Sequence, residues 1–139
     1  MLRILTISLS ILFFGCTTKV TEEDLTNLNG YWEIKSVTFK SGNTKEYNIS
    51  TTLDYLKVKG LGGYRKKVQP KFNGTYDTSN DAEIFTLSKT NASFIFNYKT
   101  DLSAWKEELL TLSKDEFSVK NHQEKIYTYQ RYTPINSTK

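Results

Sequence analysis

From Gly30 onward the chain is written in period two, in short runs broken by compact polar turns, and this constrains the fold more than any other feature. In segment 30–39, Trp32 and Ile34 alternate with Glu33 and Lys35. The apolar parity then shifts to Val37 and Phe39, which places a bulge near Ser36. Ser41-Gly42-Asn43 marks a turn. Segment 53–58 carries Leu53, Tyr55, Leu56 and Val58. Gly60, Gly62 and Gly63 break the chain before 64–72, where Pro70 points to an edge, a bend or a strand end. After the run 74–78 and the turn Ser79-Asn80-Asp81, segments 83–89 and 93–99 form a hairpin pattern around Lys89-Thr90-Asn91. Segments 108–113, 116–120 and 125–132 complete the series. Leu102, Trp105, Leu109 and Leu112 have helical spacing, but Leu110 and Leu112 alternate around Thr111, and the segment is read as a strand starting near Trp105.

Helix is confined to a short turn before residue 28. There Thr21 and Asp24 have capping-box spacing, and Leu25 and Leu28 supply a packing side. A sequential series of about eight short strands specifies an all-β fold, an eight-stranded antiparallel up-and-down barrel. Its interior is just wide enough for side chains or one small ligand. At 139 residues the chain supports one domain, and 14% aromatic residues exclude a disordered tail. A single Cys removes any intrachain disulfide and any zinc site of paired cysteines. His122 sits in a polar turn with no acidic or Ser partner at a useful spacing. Glu22-Glu23-Asp24 and Glu107-Glu108 are explained by a cap or a solvent face, and Gly60-Leu61-Gly62-Gly63 lacks the Lys and the helix of a phosphate loop. A protein without catalytic residues, metal or cofactor is expected.

The first sixteen residues, MLRILTISLSILFFGC, give an address. Arg3 precedes an apolar run from Ile4 to Phe14, the pattern of a secretory signal and too short for a membrane-spanning helix. Leu12-Phe13-Phe14-Gly15-Cys16 resembles the lipobox of bacterial lipoproteins. That resemblance implies a signal peptide over 1–15, acylation of Cys16, a tether and helical turn over 16–28, a barrel over 29–134 and a tail over 135–139. Acyl chains on Cys16 would hold the protein at a membrane, at about 0.8 kcal/mol per buried CH₂. Thr17, rather than Asp, after the cysteine favours the outer membrane by the same resemblance, with the face left open.

Asn29-Gly30-Tyr31-Trp32 at the first strand is similar to the Gly-x-Trp signature of lipocalins, which pair this Trp with an Arg near the end of the last strand. Arg131 stands at that place. The resemblance is nearest to small lipocalin-like lipoproteins of Bacteroidetes-type bacteria and implies that Gly30, Trp32 and Arg131 close the barrel. A closed barrel lined by aromatics and hydroxyls would suit a small hydrophobic or amphipathic ligand.

Two further features have alternative readings. Phe94, Phe96 and Tyr98 share one parity, as do Tyr127, Tyr129 and Arg131; these aromatics either line a cavity or fill the barrel. Lys57, Lys59, Arg65, Lys66, Lys67 and Lys71 form a stretch without an acidic residue. This is either a working surface toward anionic lipid head groups or a protein partner, or a solvated strand face protecting an edge. Nucleic acid is not expected for an exported protein. Two functions follow: a membrane-anchored barrel holding a small ligand in the cell envelope, or a solid barrel acting as an adaptor through its outer surface.

Overall fold

The computed structural model describes residues 19–134. A 3-10 helix, Glu23–Leu28, leads into ten strands: β1 Gly30–Thr38, β2 Thr44–Glu46, β3 Leu53–Lys59, β4 Gly62–Pro70, β5 Tyr76–Thr78, β6 Glu83–Lys89, β7 Phe94–Lys99, β8 Ala104–Leu112, β9 Glu116–Asn121 and β10 Ile126–Arg131. Eight of them, β1, β3, β4 and β6 to β10, pair antiparallel with their neighbours in chain order, and β10 returns to β1 to close the ring. This is the expected up-and-down barrel, with the helical turn in front of its first strand.

The three-residue strands β2 and β5 hang from the far ends of β1 and β4. Thr44-Lys45-Glu46 is polar and exposed throughout, so β2 leaves no alternation in the sequence. Thr21 and Asp24 exchange hydrogen bonds at the helix start, with Asp24 Oδ2 2.8 Å from the Thr21 amide, and Leu25 and Leu28 are buried.

The pleat decides what enters the core. The shift in β1 falls between Ile34 and Ser36, so Trp32, Ile34 and Val37 all take partners on the inner face of β10. A second shift, in β8 between Leu109 and Thr111, explains its helix-like spacing. Trp105, Glu107 and Leu109 follow period two, and the extra residue then sends Leu112, three positions on, to the same side. Gly63 is forced by close approach, since a Cβ there would lie 2.1 Å from the Lys57 carbonyl oxygen.

Candidate functional site

The end of the barrel under the helix is shut by a latch. Gly30 has φ +122°, and a Cβ on it would lie 2.7 Å from Arg131 Nη1, so only glycine fits. Trp32 is wholly buried, donates its indole N–H to the Leu28 carbonyl at 2.8 Å, and meets Phe117 edge-on at 4.7 Å. The register sets Arg131 opposite Trp32, with the guanidinium carbon 3.9 Å from the indole centroid. Arg131 Nη1 donates to the Asn29 carbonyl at 2.6 Å, and Nη2 donates to those of Asn27 at 2.7 Å and Lys114 at 2.8 Å. One side chain therefore joins the helix end, the first strand, the β8–β9 turn and the last strand. Cation–π contact of this kind is worth about 0.5–2 kcal/mol, with charged hydrogen bonds in addition.

Above the latch the bore is occupied by aromatics. Phe94, Phe96, Tyr98 and Tyr129 are buried, and Tyr127 is half-buried against them. Phe96 meets Phe85 at 4.9 Å and stacks with Tyr98 at 5.8 Å; Tyr98 stacks on Trp105 at 4.9 Å, and Tyr129 stacks on Phe117 at 4.8 Å. They belong to one contiguous cluster with Trp32, Leu56 and Leu109. The candidate residues Phe94, Phe96, Tyr98, Tyr127 and Tyr129 thus share the interior face, and the ring contacts of Phe96, Tyr98 and Tyr129 run along one strand or between adjacent strands.

The half of the bore toward the opposite, open rim is ionic. Arg65 pairs with Leu56 and Glu83 in register, which turns it inward, and its side chain is only 12% exposed. Its Nε lies 2.6 Å from Glu83 Oε2, its Nη1 3.5 Å from Glu107 Oε2, and its guanidinium 4.6 Å from the Tyr98 ring centroid. Beside it, buried Asp54 lies 2.6 Å from Lys67 Nζ, a Coulombic contact without hydrogen-bond geometry. Burial works against the charge of Arg65, but Tyr98, Glu107, Tyr129 and Asp54 outweigh it and raise its pKa. Burial pushes the Glu107 carboxyl above its ordinary value, against the pull of Arg65, with Glu83 adding to the rise. The same burial raises the hydroxyls of Tyr98 and Tyr129.

Asp54, Glu83 and Glu107 were not singled out from the sequence, and the pair Glu107-Glu108 was expected on a solvent face. The structure corrects this for Glu107, which turns inward with Trp105 and Leu109 while Glu108 turns out to Lys120. The signal that finds such residues is a charge on the apolar parity: Asp54 with Leu56 and Val58, Glu83 with Phe85 and Leu87, Glu107 with Leu109.

The stretch 57–71 is divided by the same pleat, so it is not one basic surface. Arg65 and Lys67 belong to the bore and its rim, and Lys71 is 2.6 Å from Asp77. Lys57, Lys59 and Lys66 remain outside. An open-sided concavity of about 1200 Å³ is lined by β6, β7, β8 and the loops at their open-rim ends. Neither Arg65 nor Tyr129 lines it, so it is a depression against one flank of the wall rather than the bore. Cys16 and the segments 1–15 and 135–139 lie outside the described residues. Among the described residues no cluster of three or more His, Cys, Asp or Glu is placed to hold a metal, and no helix is long and apolar enough to cross a membrane. His122 is exposed in the β9–β10 turn.

No family model and no curated protein matches the chain. Among solved structures, a lipocalin-like protein from Bacteroides uniformis is similar at 8% identity and a TM-score of 0.47, covering 76% of this chain and 99% of that one.

Proposed function

We propose that the protein is a lipid-tethered, non-catalytic binding protein of the bacterial cell envelope that engages its partner through the outside of a filled barrel. The observation that carries this reading is the state of the bore, with stacked aromatics in one half and the Arg65 ion pairs in the other. Eight-stranded barrels hold either side chains or one small ligand, and this lining supports the first. The tether follows from the lipobox-like Leu12–Cys16. Val20 belongs to the core cluster beneath the barrel, four residue steps from Cys16. At about 3.6 Å per step, four steps give a tether of at most about 14 Å from an acylated cysteine to Val20. The open rim then points away from the membrane, which by the Thr17 pattern is the outer membrane.

A second reading, a small amphipathic ligand at the mouth, is favoured by the half-exposed Trp105 stacked on Tyr98 beside the incompletely partnered Glu107. It requires the Arg65 pairs to open. Titration with the apolar fluorophore 1-aminoanthracene separates the two. No saturable enhancement is expected; a saturable one-to-one signal displaced by a single envelope lipid would overturn the outer-surface reading.

A further inference from the structure

We infer that the outer wall formed by β3, β4, β6, β7 and β8 is a binding surface for an acidic polysaccharide. This deepens the outer-surface reading above and rests on it. On these five strands the carboxylates turn inward, two of them to meet Arg65, and the outward charges are nearly all basic. Their inward positions take Asp54, Glu83 and Glu107, and their outward positions take Lys57, Lys59, Lys66, Lys99 and Lys106. Outward on the same strands stands one carboxylate, Glu108, and it is already engaged by Lys120 at 3.1 Å. None of the five lysines takes part in an ion pair among the described residues. Asp81 and Asp101 lie on the loops at the open rim, at one margin of the wall.

Tyrosine and lysine alternate across this surface. Tyr55 lies opposite Lys66, and Lys57 opposite Tyr64, in register. The wall then continues through Ile84 into the 1200 Å³ groove with Thr86, Asn97, Lys99 and Lys106. The chemistry selects among polyanions. Tyr31 stacks face to face on Tyr76 at 4.2 Å, Tyr55 tilts against Tyr31 at 4.8 Å, and Lys66 covers Tyr64 at 5.9 Å. With those ring faces engaged, the surface offers hydroxyls and ammonium groups rather than the open platforms that nucleobases need. Its exposed large apolar side chains, Ile84 on β6 and Leu102 at the rim of the groove, are aliphatic rather than the aromatic anchors that dominate protein interfaces. A convex wall with unpaired ammonium groups and hydroxyls fits a hydroxyl-rich chain carrying carboxylates.

The test is binding of the full chain to polygalacturonate, with neutral dextran, poly-glutamate, oligo-thymidylate and anionic phosphatidylglycerol vesicles as the other arms. Polygalacturonate is expected to bind in a salt-sensitive way and more tightly than every other arm. The variant Lys57→Ser/Lys66→Ser/Lys99→Ser should lose about tenfold or more, at roughly two- to fivefold per lysine. Tyr64→Ser should weaken binding further, and Lys45→Ser/Lys125→Ser, off these five strands, should not change it. Absence of binding, equal or tighter binding of any other arm, or indifference to the triple variant overturns the inference. These results are distinct from failure of the outer-surface reading, which is a ligand found in the bore.

Discussion

The two halves of the bore are lined by opposite chemistry. Near the helix, aromatic rings close on a buried tryptophan, and Arg131, stacked on it, spends its donors on backbone carbonyls. Toward the open rim, the more deeply buried Arg65 is matched to carboxylates on the adjacent strand β6 and, across the bore, on β8, with a third carboxylate close by. The first half holds its shape by packing and by hydrogen bonds that do not titrate. The second contains Glu107, a carboxyl held up by burial, and so its stability answers to pH. Buried ion pairs add little net stability, because desolvation cancels much of their attraction, but removing one partner is costly. An interior that keeps such a belt is specified rather than merely stable.

Four substitutions would break or sharpen this contrast. Trp32→Ala should have the largest effect, a loss of about 3–5 kcal/mol from the cavity and the missing latch. Urea unfolding should give nearly the same loss at pH 5 and pH 8, because the cation stacked on the indole is an arginine, which keeps its charge at both. Arg65→Met should cost about 3–5 kcal/mol at pH 8 by leaving Glu83 and Glu107 without their cation. Unlike the first, this loss should shrink as pH falls and Glu107 takes up a proton, visible as converging denaturation midpoints. A pH-independent loss would mean that Arg65 acts by packing alone.

Gly30→Ala should cost about 1–3 kcal/mol through its φ of +122° and the clash with Arg131 Nη1, read as a lowered Tm. The smallest effect belongs to Glu107→Gln. The folded-state pKa of Glu107 lies above the ordinary 4.5, so its ionised form opposes folding. The stability it contributes is present below 4.5 and is lost as pH rises through the folded pKa. Gln, which needs no ionisation and still accepts from Arg65, should therefore be neutral or stabilising by about 1 kcal/mol at pH 8. That advantage should vanish toward pH 4.5. A variant clearly less stable than the parent at pH 8 would show that the carboxylate is well paired.

The sequence made the ring legible because period two survives in nearly every strand, and because Trp32 and Arg131 stand at its two ends. Even the bulge in β1 was visible, as Val37 breaks the parity of Trp32 and Ile34. The ionic belt was not, for a physical reason. Lys57, Arg65 and Lys67 are near neighbours in sequence, but the turn at Gly60 and the pleat send Lys57 outward and the other two toward the bore. A run of like charges read along the chain hides that division; read by parity, Arg65 leaves the surface, Lys67 turns to Asp54 at the rim, and Lys99 and Lys106 join the outer wall. Glu107 was obscured in the same way by Glu108, its outward neighbour.

Native mass spectrometry of the acylated protein, extracted gently from its own envelope, addresses the occupied interior most directly. The expected spectrum shows the acylated chain alone, with any associated polymer lost as salt is raised. A stoichiometric small molecule that survives high salt and departs only on unfolding would contradict a bore filled by side chains.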